Sequence, residues 1–209
     1  MTDDLNPAKQ NARDKLLDAS LTLIRSQGYA ATTVDQLCAS AGVTKGAFFH
    51  HFGTKDDLAV AAANHWSSMT GGLFATAPYH APEDPLDRIL AYLDFREALL
   101  QGTCAQFTCL AGTLLQETYN TAPDIRMASF ASISNHAATL VPDFEATITL
   151  YGKPDYPSAT SLALHTQTVL QGAFILAKGS GSADIVRESL DHLRRYLKSL
   201  FEKPEEKLI

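Results

Sequence analysis

An all-α fold is what this sequence predicts, with a small N-terminal three-helix unit ahead of a larger helical domain. Apolar residues recur at three- and four-residue intervals over most of the chain. Capping residues (Thr, Ser, Pro at starts, Gly at ends) punctuate these stretches. No segment shows the apolar/polar alternation of β-branched residues that marks a strand.

The elements follow in order. Residues 10–27 place Leu16, Leu17, Leu21, Leu23 and Ile24 on one helical face, and Gly28 stands at the C-terminal cap position. Thr32 and Thr33 offer N-caps to a short helix through Ser40. Ala41-Gly42-Val43 makes a tight turn, Thr44 caps a second short helix to about His51, and Gly53 ends it. Thr54 with Asp57 three residues on forms a variant capping box, and Asp56 and Asp57 suit the positive end of the helix dipole. That helix continues to about residue 76, followed by the loop PYHAPEDP. Further helices are expected over 84–101, 104–120, 123–150 with a break near Pro142, 159–178 and 183–202. The loop YGKPDYPS precedes the last pair, and the tail KPEEKLI is expected to fray.

Charge is uneven. The 209-residue chain has a formal net charge of −6, yet residues 5–55 hold six Lys/Arg against three acids. A basic surface, where one exists, is therefore local and N-terminal. No apolar run reaches the ~18 residues that span a bilayer. The polar, acidic N-terminus does not resemble a secretory leader, so a cytoplasmic protein is expected. Three cysteines without a leader argue against a disulfide framework. The motifs CxxC, HExxH, GxGxxG and GxxxxGK[ST] are all missing, so no cofactor, metal site or enzyme activity is predicted. Adjacent helical residues face different ways, which argues against His50 and His51 as a metal pair.

Three helices in residues 10–52, two of them short and joined by A-G-V, have the spacing of a helix-turn-helix. The second short helix would enter the DNA major groove by its N-terminal residues, Thr44, Lys45, Gly46 and Ala47. Lys45 could reach a phosphate or a guanine edge. Thr33, Thr44 and Thr54 stand at helix N-termini, where hydroxyls and free amides favour phosphate.

The stretch GYAATTVDQLCASAGVTKGAFFHHFGTKDDL, residues 28–58, closely resembles the DNA-binding segment of TetR-family transcriptional regulators. The glycine–aromatic pair, two threonines, A-G-V-T-K-G, the aromatic-His-His-Phe run and the Thr-Lys-acid cap are all in register. One position departs: Phe49 stands where the family usually carries a tyrosine whose hydroxyl bonds a phosphate, which narrows Phe49 to apolar contact. The resemblance implies Lys45, His50 and Lys55 as phosphate or base contacts, with Phe48 and Phe52 packed beneath. It implies residues 1–58 as the helix-turn-helix domain and 59–209 as an effector-binding and dimerisation domain. It implies a homodimeric repressor on a palindromic double-stranded operator, released by a small molecule.

For the effector pocket, the resemblance points to the helices between about 60 and 178. Candidate lining groups there are Trp66, Tyr92, Phe95, Phe107, His136 and His165, with Leu114, Tyr119, Phe130 and Phe144 as further apolar candidates. In the last helix Val186, Leu190, Leu193 and Leu197 follow a 4-3-4 spacing, a heptad seam. The family resemblance assigns it to the dimer interface, and two recognition helices about 34–36 Å apart on DNA require such a dimer. QFTCLAGTLLQE, residues 106–117, resembles a pattern in one branch of the family in which a cysteine senses electrophiles or oxidants. That sets an alternative: a thiol-based sensor acting through Cys109. Within a helical turn of Cys109 the sequence supplies no Lys or Arg to activate it.

Overall fold

The computed structural model describes residues 11–153 and 155–201. The expected fraying of the tail, and the outer limits of the two expected domains, lie outside the described residues. Those described form eleven α-helices and one 3-10 turn, without a strand. α1 spans Ala12–Gln27, α2 Val34–Ala41, α3 Lys45–His51 and α4 Lys55–Ala75. α5 covers Pro85–Ala98, α6 Cys104–Phe107, α7 Leu110–Thr118, α8 Pro123–Ala138, α9 Val141–Tyr151, α10 Ala159–Ser180 and α11 Asp184–Leu200.

The N-terminal helices start where side chains can satisfy their first amides. Asn11 accepts from the Asp14 amide, Thr33 from Gln36, Thr44 from Ala47 and Thr54 from Asp57. Thr33–Gln36 and Thr54–Asp57 are complete capping boxes. α2 ends at Gly42 in the left-handed region, φ 62°, which lets the chain reverse into α3.

One expected helix divides, and another breaks beside Pro142 as expected. The stretch 104–120 breaks at Thr108, which is extended (φ −83°, ψ 161°) and turns its hydroxyl to the Cys104 carbonyl at 2.7 Å. Cys109 then becomes the N-cap of α7, its Sγ accepting the Gly112 amide at 3.4 Å. The stretch 123–150 breaks at Leu140, just before Pro142 in the first turn of α9.

Buried side chains gather into two clusters. One joins Leu16, Leu17, Leu21 and Ile24 of α1 to Leu37, Phe48, Phe52 and the first half of α4; Leu110 and Leu114 of α7 and Ile125 of α8 complete it. The other lies among α5, α9, α10 and α11 and includes Tyr92, Phe144, Leu162, Leu170 and Phe174. α4 runs without interruption through residue 58, and α7 closes the first cluster from the C-terminal side.

The heptad seam of α11 has a different role from the expected one. Val186, Leu190, Leu193 and Leu197 are all buried inside this protomer, packed into the second cluster with α5 and α10. A 4-3-4 stripe is what any amphipathic helix presents to its own core. Burying four such side chains stabilises the protomer by about 1.5–3 kcal/mol each, and they are not available to a partner. The exposed apolar side chains of this helix pair are Leu164, Ile175 and Leu176 of α10 and Tyr196 of α11.

Candidate nucleic-acid interface and interior cavity

α3 is held by its aromatic residues. Phe48 is fully buried and Phe52 nearly so, their rings 5.9 Å apart, whereas Phe49 is 57% exposed. Thr44, Lys45, Gly46, His50 and His51 lie on the exposed side, with Ala47 half-buried. A Cβ at Gly46 would meet only the Thr44 hydroxyl, at 3.7 Å, so the helix is open to close approach there.

The cationic and capping groups divide in a way the sequence did not show. Lys45 Nζ lies 2.6 Å from Asp35 of α2, and this hydrogen bond and charge raise the Lys45 pKa. Both side chains stay exposed, so Lys45 can exchange Asp35 for a phosphate. Lys55 differs from the expectation. Its ammonium donates to the carbonyls of Tyr29 and Thr32, each at 3.0 Å, and lies 4.1 Å from the Tyr29 ring centroid. It is half-buried and ties the α1–α2 turn to α4, so two of its three donors are already taken by backbone. At Thr33 and Thr54 the backbone amides are also engaged, by Gln36 Oε1 and Asp57 Oδ2, both at 2.9 Å. Thr44 has Ala47 at the third helical position, so the reciprocal half of a box cannot form there.

A cavity of about 250 Å³ lies among α1, α4, α5, α6, α8 and α10. Of the expected lining residues, Trp66, Phe107, Cys109 and His136 face it. Tyr92 is fully buried behind His136, its hydroxyl 2.9 Å from His136 Nε2, and Phe95 packs edge-on against Phe74 of the cavity wall. His165 is not brought to it: the ring lies on the exposed face of α10, 5.6 Å from Tyr196. Leu114 and Phe144 are core, and Tyr119 and Phe130 are exposed. Burial, then the nearby Arg96, push His136 down to about 4, so it is neutral near pH 7. Burial also raises the Tyr92 pKa, against the pull of Arg96 and Gln167.

Arg25 and Arg96 line the cavity too, and neither was expected there. Arg25 belongs to the last turn of α1. It donates to Leu21 O at 2.8 Å and to Gln106 O of α6 at 3.0 Å, with its guanidinium 4.9 Å from the Trp66 ring. Burial lowers its pKa, and the Cys109 sulfur opposes that shift. Lys178 of α10 responds in the same way, so Cys109 has two cations in its surroundings that its linear neighbours do not supply. Arginine in the last turn of a helix is ordinary dipole chemistry, and only tertiary packing turns Arg25 towards the cavity.

A second link joins these regions. Glu117 of α7 accepts the Tyr29 amide at 3.0 Å and the Ala30 amide at 2.8 Å, in the turn between α1 and α2. Gly28 lies against this carboxylate with φ 90° and ψ 164°.

Comparison with known proteins points one way. A family model described as bacterial regulatory proteins, tetR family, matches residues 16–62. An HTH-type transcriptional regulator of Lactococcus lactis subsp. lactis is 22% identical over 198 residues, covering 95% of this chain and 97% of the relative. The HTH-type transcriptional regulator LmrA of Bacillus subtilis is 32% identical over 97 residues, 46% of this chain and half of that protein. Among solved structures, reduced NemR of E. coli superposes with a TM-score of 0.75 at 23% identity, covering 93% of this chain and all of that one. At that identity the likeness speaks for the fold.

Proposed function

This chain belongs to the TetR family of DNA-binding transcriptional regulators, and we propose that it acts as a homodimeric repressor released from its operator by a small molecule bound in the interior cavity. One observation carries the ligand-responsive part. Arg25, in the first helix of the DNA-binding segment, both lines the cavity and donates to the α6 backbone at Gln106. A ligand that moves this guanidinium acts directly on α1, against which α2 and α3 pack. Release requires only that the ligand favour one conformation over the other, by about 1–3 kcal/mol for a typical allosteric coupling.

In this reading residues up to 58 form the DNA-binding domain and residues from 59 the effector-binding and dimerisation domain. Thr44, Lys45, Gly46, Ala47, Phe49 and His50 meet the operator, and Thr33 and Thr54 border it. Lys55 acts from behind by fixing the α1–α2 turn. The partner subunit packs on the outer faces of α10 and α11, and Leu164, Ile175, Leu176 and Tyr196 supply the exposed apolar area there. Among the described residues no helix is long and apolar enough to cross a membrane. The test is a mobility-shift assay with the DNA upstream of the protein's own gene. A salt-dependent, sequence-specific shift is expected, abolished by compounds that raise Tm in a thermal-shift screen. A chain that gives no specific shift at moderate salt is not an operator-binding repressor.

Cys109 supports a second trigger, a thiol sensor. Its Sγ caps α7, faces the cavity, and has Arg25 and Lys178 in its surroundings. N-ethylmaleimide is then expected to release DNA from the wild type and from Cys104→Ser but not from Cys109→Ser. Equal release from all three chains removes this reading.

A further inference from the structure

We infer that the effector is a small organic anion, an acid with an aromatic or branched aliphatic body, whose oxyanion is held by Arg96 with His136 beside it. This rests on the reading of the cavity as the effector site and adds the chemical class.

The first ground is charge. Arg25 and Arg96 both line the cavity, and no Asp or Glu does. Among the described residues neither arginine takes part in an ion pair. Two guanidiniums lining one partly open, largely apolar cavity repel one another, and no carboxylate among its lining residues offsets them. An anionic guest supplies the missing charge, whereas a cationic guest adds a third.

The second ground is geometry. The Arg96 guanidinium sits 5.2 Å from the Phe74 ring and 5.6 Å from the Phe174 ring. Aromatic contact uses the faces of the guanidinium and leaves its in-plane N–H fork for an oxyanion. Beside it, Gln167 Nε2 donates to the Tyr92 hydroxyl at 3.1 Å, and that hydroxyl lies 2.9 Å from His136 Nε2. His136 is neutral near pH 7, so the charged donor at this end of the cavity is Arg96.

The third ground is the rest of the wall. Trp66, Leu73, Leu99 and Phe107 are apolar. They suit a ring or branched chain as the body of the guest, with Thr70, Ser132 and Gln171 as the few polar groups among them.

Trp66, the single tryptophan of the chain, lines the cavity and reports occupancy by its fluorescence. Matched sets on one skeleton (benzoate, benzamide and benzylamine; 3-phenylpropanoate, its amide and its amine; 4-methylpentanoate, its amide and its amine) are titrated against the full-length protein. At least one acid is expected to change the fluorescence with a Kd at least about tenfold below that of its amide, the loss typical of a missing charge-assisted hydrogen bond. The corresponding amine should not bind. Arg96→Gln should remove the advantage of the acid while leaving the weak binding of the amide, which shows that the cavity is intact. Acids that bind no better than their amides or amines, or that keep their affinity in Arg96→Gln, overturn the inference and leave the effector-site reading standing. An acid series with no fluorescence change overturns it outright. Operator release is measured separately: an acid that binds without altering DNA affinity upholds the anion site and refutes its role as effector site.

Discussion

The contact between Gly28 and Glu117 can be tested by a double-mutant cycle whose outcome follows from the geometry. Gly28 has φ 90° and ψ 164°, a region open essentially to glycine alone, and a side chain there costs about 1–3 kcal/mol. A Cβ at this position would stand 2.6 Å from Glu117 Oε1 and 3.2 Å from its Cδ. No carboxylate stays at 2.6 Å from a methyl group, so Gly28→Ala must also expel Glu117 from the Tyr29 and Ala30 amides. Hydrogen bonds to a charged group are worth about 1.5–3 kcal/mol each when buried. Glu117 is exposed, so the pair together contributes nearer 1–2 kcal/mol. Gly28→Ala should therefore destabilise by about 2–5 kcal/mol and Glu117→Ala by about 1–2 kcal/mol. The double variant should lose the amide bonds only once, so it should be more stable than the sum of the single changes by about 1–2 kcal/mol.

The measurement is urea unfolding by far-UV circular dichroism at one fixed protein concentration, because the apparent stability of the proposed dimer would depend on it. Additivity within about 0.5 kcal/mol would refute the reasoning: the two residues would then not share an interaction. A functional arm accompanies it. α7 carries Glu117 at one end and Cys109 at the cavity wall at the other, so Glu117→Ala should reduce effector-induced release while sparing operator affinity itself.

Other consequences follow from the same structure. Lys45→Ala should weaken operator binding and lower the salt slope by about one while leaving the dimer intact in sedimentation; Asp35→Asn, which removes the competing carboxylate, should strengthen binding in the same mobility-shift assay. Tyr196→Arg combined with Leu176→Arg should give a folded monomer by sedimentation, whereas Leu190→Ala should cost the protomer about 2–5 kcal/mol in denaturation because its site is interior. His136 has a folded-state pKa lowered from 6.5 to about 4, so the unfolded chain takes up the proton first as pH falls. Its contribution is complete above about pH 6.5 and is lost towards pH 4, on the order of 3 kcal/mol. His136→Asn should flatten that part of the stability–pH profile, and an unchanged profile would place the imidazole in water.

What could be read from the sequence was local, and what could not was set by contacts between distant residues. Thr33, Thr44 and Thr54 cap the expected helices because N-capping needs only a hydroxyl and an amide three residues away. Phe48 and Phe52 point in and Phe49 out, as a helix of seven residues on a small core demands. The break at Thr108 left no comparable mark, because a threonine in an apolar run suits a helix interior as well as its end. Lys55 looked like a phosphate ligand until the carbonyls of Tyr29 and Thr32 appeared beside it, and backbone acceptors have no sequence signature. Cys109 looked remote from any cation for the same reason: Arg25 and Lys178 are distant in the chain and near in space. The α11 seam is the sharpest case, since one stripe of Val and Leu serves a protomer core or a partner equally well. The discriminating pattern was a second, weaker stripe on the same helix, Ile185, Ser189, His192, Tyr196 and Ser199, also spaced by four and three. The strong stripe faces the protomer's own core and the mixed, partly exposed stripe lies about 100° round the helix, so in the proposed dimer the test belongs at Tyr196 and not at Leu190.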